Sequence, residues 1–153
     1  MNLAEDIDAA LDRAERGDLK AEEFYSALAT SDPAMFTFLF DPDTRLLLEP
    51  EHDYLLFLAM VLLEALAHSG LKQSSVEMDL LESLAEENWG YLEYTSIENL
   101  TSTLSDHIAV DAYTFLEDAC TPDTDHEVLS EAAVELVYVK CKTLIDSLAI
   151  QQQ

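Results

Sequence analysis

The longest uninterrupted apolar segment of the chain covers residues 55–63 and ends at Glu64. It is too short to cross a bilayer, since a membrane-spanning helix needs about 20 predominantly apolar residues. The segment lies in a helical pattern over 50–69 that is apolar on every face, and a helix of this kind is buried. The pattern over 125–149 is nearly as apolar between 134 and 139. We therefore expect these two helices to form the centre of the fold.

Glycine, proline and capping residues mark where the helices start and stop. Gly17, Gly70 and Gly90 each follow an apolar helical stripe, so each is predicted to be the left-handed residue after a helix. The S/T-x-x-E spacing marks helix starts, because the two side chains reciprocally satisfy unpaired backbone N–H groups. An Asp-Pro pair marks another start, with Asp as the cap and Pro at the first helical position. The predicted starts are Asp32-Pro33, Ser74–Glu77, Thr95–Glu98 and Thr124–Glu127.

These signals predict one all-α domain over residues 1–150, a bundle of about six or seven helices, with 151–153 as a frayed tail. The segment 35–49 also fits a short β-hairpin around a four-residue turn that contains Pro42. A helix is preferred there because the Asp-Pro pair starts it. The predicted helices cover 3–16, 19–30, 33–40, 50–69, 75–89, 96–119 and 125–149.

The charge of the chain is strongly one-sided. Seven Lys and Arg stand against 32 Asp and Glu, for a formal net charge of −25, yet 49% of the residues are hydrophobic. The chain should therefore fold rather than stay disordered, at a cost in self-repulsion. Direct binding to DNA or RNA is excluded, because phosphate contact needs clustered Lys and Arg. No basic segment followed by an apolar one opens the chain, so a cytoplasmic location and no membrane contact are expected.

Motifs for cofactors and metals fail on spacing. Cys120 and Cys141 have no metal-ligand or CxxC spacing and are predicted to be small buried hydrophobes. The runs 41–43 and 123–125 begin like calcium loops, but Leu46 and Val128 stand where the turn glycine is required. Phosphate-binding glycine loops and catalytic motifs are missing from the sequence as well. We therefore expect no cofactor, no bound metal and no enzymatic activity.

Acidic residues dominate the second half of the chain. Between Lys72 and Lys140 there is no Lys or Arg, whereas Asp and Glu occur sixteen times. Asp79, Glu82 and Glu86 recur at helical spacing on one face, which makes a coherent anionic stripe. Two interpretations stay open. The stripe is either a solvated helix face or a surface shaped to meet a basic partner.

Aromatic residues stand beside this stripe and either anchor a partner or pack at a connection between helices. The candidate partner-binding surface comprises Asp79, Glu82, Glu86, Glu87, Glu93, Trp89, Tyr91 and Tyr94.

Glu64 is the other unusual acidic residue, because it lies in the most apolar helix, four residues before His68. A buried carboxylate is expensive without a partner, so Glu64 should pair with His68 or with a basic residue such as Lys140. Bundle metal centres use two copies of a Glu-x-x-His motif, and this chain does not contain two copies. His107 and Asp111 form a further pair at helical spacing.

The residues thus predict a non-enzymatic acidic binding protein that masks a basic surface of a toxin, a nuclease or a DNA-binding protein. It would act as an immunity-type inhibitor or as a DNA mimic. The alternative is a helical-bundle metal protein or enzyme with an interior site built from Glu64, His68, His107 and Asp111.

Overall fold

The computed structural model describes residues 2–71, 75–104, 107–121 and 129–150, and for Glu131 and Ile150 it describes the backbone alone. Within these ranges the regular structure is helical throughout and no strand occurs, which confirms the all-α prediction. The elements are α1 (Leu3–Glu15), α2 (Ala21–Ser31), α3 (Pro33–Leu39), the 3₁₀ helix η1 (Pro42–Leu46), α4 (Glu49–His68), α5 (Met78–Leu92), α6 (Ile97–Ser102), α7 (Val110–Cys120) and α8 (Glu131–Ile150).

The core lies around α4 and α8, which pack against each other. α8 also contacts α3, α5 and α7, and every residue from 136 to 145 is buried. α1 and α2 cover the other side of α4. The apolarity of α4 and α8 on all faces thus matches a position with neighbours on all sides. Among the described helices, none has both the length and the apolarity that a membrane span requires.

Local signals identified several helix ends correctly. Gly17 and Gly70 have φ values of +79° and +80° and follow α1 and α4, as predicted for left-handed residues at helix ends. Asp32 caps α3, with a side-chain oxygen 3.5 Å from Met35 N, and Pro33 is the first helical residue. The buried Cys120 and Cys141 are free thiols, as predicted.

The alternative of a hairpin at 35–49 is wrong. This segment contains the end of α3, then η1 and the first residue of α4. Its backbone groups bond locally, since Phe40 N–H donates to the carbonyl of Phe36 and Thr44 N–H to that of Asp41. The Thr44 hydroxyl reinforces the second turn by donating to the same Asp41 oxygen at 2.7 Å. Local turns therefore take the place of cross-strand pairs.

The prediction that Gly90 ends a helix is wrong. α5 continues to Leu92, and Gly90 does not have a positive φ. Leu92 lies one helical turn after the buried Asn88 and packs against the core. The packing of Leu92 on the core offsets the roughly 1 kcal/mol that glycine costs inside a helix.

The prediction of one continuous helix over 96–119 is also wrong, because the chain forms α6 and α7 there. Hydroxyl groups end α6: Ser102 donates to the Asn99 carbonyl at 2.8 Å and Thr103 to the Leu100 carbonyl at 2.7 Å. Such side-chain bonds compete with helix continuation. The cap of α6 is Ser96, whose hydroxyl accepts from Asn99 N–H at 3.1 Å, one residue later than the predicted box.

The remaining predicted starts differ from the structure in position. α5 begins at Met78, and Ser74 of the predicted box lies outside the described residues. The box Thr124–Glu127 lies outside them too. The predicted helix 125–149 is wrong at 129–130, which are not helical, since α8 begins at Glu131.

Candidate partner-binding surface

α5 presents a row of carboxylates to solvent. It packs on α8 through its inner face, where Leu81 and Asn88 are buried. The predicted carboxylates lie on the outer side of α5 and just past its end, and each of them is exposed. We call these five residues the acidic face: Asp79, Glu82, Glu86, Glu87 and Glu93.

The three aromatic residues predicted to accompany the acidic face are exposed as well. Trp89 is 37% exposed, Tyr91 43% and Tyr94 89%, although large aromatic side chains are usually more deeply buried. Tyr91 donates its hydroxyl to Glu87 Oε1 at 2.9 Å. That hydrogen bond and the Glu87 charge raise the pKa of Tyr91. The rings therefore border the carboxylates without joining the core.

The carboxylates of the acidic face form no ion pair among the described residues. No ion pair to a described Lys, Arg or His involves Asp79, Glu82, Glu86, Glu87 or Glu93. The cations of α8 lie beneath α5, but Lys140 is only 2% exposed and Lys142 only 4%. Negative charge is thus displayed at the surface while positive charge is withdrawn from it.

Lys140 is held by groups of the α3–η1 segment. Its Nζ donates to the Phe38 carbonyl at 2.7 Å and lies 3.0 Å from Asp43 Oδ1 and 4.0 Å from Asp41 Oδ2. The ammonium group also lies 4.0 Å from the centroid of the Phe38 ring, a cation–π contact. Burial of this lysine is thereby compensated by a carbonyl, a ring and two carboxylates.

A groove of about 340 Å³ separates η1 from α5, with α8 at its base. We call it the Lys140 groove. Two residues of the acidic face, Glu82 and Glu86, line it from the α5 side. The full lining is Phe38, Asp41, Asp43, Glu82, Ala85, Glu86, Trp89, Val139 and Lys140.

A buried polar network lies on the other side of α5. Lys142 Nζ donates to Asn88 Oδ1 at 2.8 Å and to Asp146 Oδ2 at 3.0 Å. Asn88 Nδ2 donates to Thr143 Oγ1 at 3.1 Å and to the same Asp146 oxygen at 3.0 Å. Tyr113 of α7 donates its hydroxyl to Asp146, and burial followed by the Asp146 charge raises its pKa. We call these five residues the Lys142 network.

The Lys142 network borders a second groove, of about 370 Å³, whose lining also includes Glu87, Tyr91 and His107. Each polar atom of Asn88 that can form a hydrogen bond has a partner within the network. The hydrogen bonds of the network thus connect α5, α7 and α8.

Glu64 is partly buried and pairs with α1. Its Oε1 lies 2.8 Å from Arg13 Nη1 and 3.6 Å from Nε2 of the exposed His68. Lys140, the other partner considered from the sequence, contacts Asp43 instead. Arg13 was not predicted as the partner of Glu64, because the sequence does not show that α1 packs against α4.

The remaining residues of the alternative metal site occupy local roles. His107 Nδ1 accepts from Ala109 N–H at 3.0 Å before α7, and Asp111 is exposed on α7. Within the described ranges, no three or more His, Cys, Asp or Glu side chains converge as a metal site would require.

Sequence reasoning missed both grooves. A signal for the Lys142 network was available, because Lys142 and Asp146 stand at i and i+4 in a mostly apolar helix and so predict a buried pair. Comparison with known protein families, with curated proteins and with solved structures gave no match to this chain.

Proposed function

We propose that this chain is a non-enzymatic acidic binding protein that masks a basic surface of a partner protein. The observation that carries the proposal is the acidic face, with five exposed carboxylates on and beside one helix, while Lys140 and Lys142 are buried beneath it. A basic partner would meet negative charge with no competing cation at the surface of α5. Such complementarity accelerates encounter and rejects wrong partners.

The repulsion within the acidic face supports the same proposal. Glu82 and Glu86 stand at i and i+4, where like charges cost a helix about 0.2–0.5 kcal/mol per pair. Folding gains nothing from this arrangement, since α5 is held by its inner face on α8. Contact with a basic surface would turn the repulsion into attraction.

The exposed rings favour an inhibitor of the immunity type. Trp and Tyr are enriched in protein interfaces and among their strongest contacts, so Trp89 and Tyr91 suit the role of anchors. A DNA mimic is the second form of the proposal. It fits less closely, because carboxylates on successive turns lie about 5–6 Å apart, against about 3.4 Å of axis per phosphate. In either form the partner is a protein met in the cytoplasm, and the chain binds no DNA or RNA itself.

The test is affinity capture from a lysate of the source cells with two immobilised proteins, the natural chain and a variant with Asp79, Glu82 and Glu86 changed to Lys. All three side chains are exposed, so the variant should fold. We expect the natural chain to retain a basic protein and the variant to lose it. Raising the salt concentration should release the protein, because exposed charges more than about 8–10 Å apart are screened at physiological ionic strength.

The control is a variant with the same change in net charge on another helix, Asp8, Asp12 and Glu15 of α1 to Lys. These side chains are exposed as well. The control should still capture the partner. A partner that ignores both the salt and the reversal on α5 would show that the acidic face is only a solvated surface. Competition by duplex DNA would separate the two forms, since it should displace the target of a DNA mimic and leave that of an immunity-type inhibitor bound.

A further inference from the structure

The Lys140 groove has an apolar floor and a charged rim. Phe38 and Val139 are almost wholly buried, so they form the floor, together with the half-buried Ala85. The exposed side chains on its lining form the rim. Its members are Asp43 on the η1 side and Glu82, Glu86 and Trp89 on the α5 side, with the half-buried Asp41 beside Asp43.

The lysine at the base of the groove does not give it a positive character. Lys140 Nζ is turned onto the Phe38 carbonyl, and Asp43 and Asp41 lie within 3.0 and 4.0 Å of it. Its charge is thus already matched inside the protein. Glu82 and Glu86 pair with none of the described Lys, Arg or His residues, so the mouth of the groove keeps uncompensated negative charge.

We infer that the Lys140 groove receives an arginine side chain of the basic partner. This inference rests on the proposed function, and it names the group through which the partner is held. The methylene stem of an arginine would pack on the apolar floor while its guanidinium lies at the rim. There the planar group donates to the Glu82 and Glu86 carboxylates and stacks on the indole of Trp89.

Arginine fits this site better than the other cations. A divalent metal needs several ligands that converge on one point, and no three or more of the described His, Cys, Asp and Glu side chains do so. Lysine is a compact, strongly hydrated point charge and lacks the planar fork with which a guanidinium makes two parallel hydrogen bonds to a carboxylate. A guanidinium is planar and more weakly hydrated, and it binds carboxylates and aromatic faces together.

The chain carries its own probe for this site, because Trp89 is its single tryptophan and lines the groove. The full chain is titrated with acetyl-Gly-Arg-Gly-amide, while the fluorescence and the indole N–H resonance of Trp89 are recorded. We expect both signals to change and to saturate. The peptide with citrulline in place of arginine has the same shape without the charge, and it should bind about tenfold more weakly or not at all. The lysine peptide should bind more weakly than the arginine peptide.

Two double variants with equal charge change locate the binding. Glu82→Gln with Glu86→Gln removes the two carboxylates that line the groove from α5. Glu87→Gln with Glu93→Gln removes two carboxylates of the acidic face that do not line it. The first pair should weaken binding of the arginine peptide by about tenfold, as expected for the loss of charge-assisted hydrogen bonds. The second pair should weaken it less than about twofold, through the general field alone.

The results test the arginine site separately from the proposed function. Equal weakening by the two pairs, or a lysine peptide that binds as well as the arginine peptide, would overturn the arginine site. An unchanged Trp89 signal would overturn it as well, and the proposed function would still stand if reversal of the acidic face abolished capture of the partner. Conversely, a selective arginine site in a chain whose partner ignores that reversal would retain the inference and reject the proposed function.

Discussion

Glu51 uses one carboxylate to connect two helix starts. Its Oε1 accepts from Leu48 N–H at 2.7 Å, at the start of its own helix, and its Oε2 accepts from Ser130 N–H at 2.8 Å, just before α8. The side chain is buried, with 3% of the residue exposed. These backbone donors stabilise the charged form and lower the pKa of Glu51 below its ordinary value. A single carboxylate thereby joins the two central helices at one end.

The first prediction concerns the pH dependence of this contact. A carboxyl group whose pKa is lower in the folded state stabilises the fold above its unfolded pKa of about 4.3 and loses that effect as the pH falls through the folded value. The difference in unfolding free energy between the natural chain and Glu51→Gln should therefore be full at pH 7 and shrink below about pH 4. Urea unfolding at a series of pH values measures it. Glu49→Gln, an exposed neighbour, is the control. A difference that stays constant with pH would contradict the assignment.

The two thiols provide a second prediction at this scale. Burial raises the pKa of Cys120 to about 12 and that of Cys141 well above its ordinary value. The thiolate is the reactive form, so both groups should be inert in the folded chain at pH 8. Ellman's reagent should titrate almost no thiol in buffer and two per chain in denaturant. A thiol that reacts fast without denaturant would show that its helix opens locally.

At the scale of elements, the position of α5 depends on contacts with α8 that are not all apolar. The Lys142 network ties α5 to α8 through Asn88 and ties α7 to α8 through Tyr113 and Asp146. Hydrogen bonds depend on distance and angle more strictly than apolar contacts do. A network whose polar groups are all paired can therefore favour one packing arrangement of the helices over similar alternatives. We infer that this network sets the rotation of α5, and with it the outward direction of the acidic face.

Truncation of the asparagine should therefore be costly. Asn88→Ala removes an acceptor from Lys142 and a donor from Asp146, and it leaves this largely buried ion pair with fewer hydrogen bonds. We expect a loss of about 2–4 kcal/mol in unfolding free energy. Ser83→Ala, at an exposed position of the same helix, should change stability by less than about 0.5 kcal/mol. Similar effects of the two substitutions in urea denaturation would mean that the hydrogen bonds of Asn88 contribute little to stability.

On the scale of the whole molecule, charge opposes compactness. The formal charge of −25 is spread over a surface with few exposed cations, so folding brings carboxylates closer together than they are in the unfolded chain. Salt screens exposed charges and leaves buried pairs such as Lys142–Asp146 almost unaffected. The repulsive part of the electrostatics is thus the part that salt removes.

Stability should accordingly rise with ionic strength. Thermal unfolding followed by circular dichroism from 10 to 300 mM NaCl should show an increasing midpoint. A gain of about 1 kcal/mol corresponds to about 2–4 °C in a chain of this size. The variant with Asp79, Glu82 and Glu86 changed to Lys carries less net charge, so its midpoint should depend less on salt. A midpoint that falls with salt would show that attractive surface pairs dominate instead.

The helix ends that were predicted correctly are those marked by residues close together in the sequence. Gly17, Gly70 and the Asp32-Pro33 pair act through their own backbone geometry, so their meaning does not depend on the rest of the fold. The prediction for Gly90 was wrong because the packing of Leu92 on the core, a tertiary contact, overrides the low helix propensity of glycine.

The candidate partner-binding surface also has a part that the sequence predicts and a part that it does not. The helical spacing of the carboxylates and the positions of the three rings were sufficient to propose the surface residues, all of which are exposed. The grooves were not predictable, because their floors join distant parts of the chain. Lys140 bonds to Phe38 across 102 positions, and Lys142 bonds to Asn88 across 54. Pairs of this kind leave no periodic trace in a single sequence.

The burial of the two lysines of α8 also affects how other enzymes can act on the folded chain. Trypsin cleaves after Lys and Arg, and the chain has neither between Lys72 and Lys140. Because Lys140 and Lys142 are almost wholly buried, no bond that trypsin cleaves and no lysine amine is well exposed among the described residues from 75 to 150. Enzymes that attach acetyl groups or ubiquitin to lysine meet the same obstacle there. While the fold is intact, the half of the molecule that carries the acidic face is therefore protected from lysine-directed proteolysis and modification.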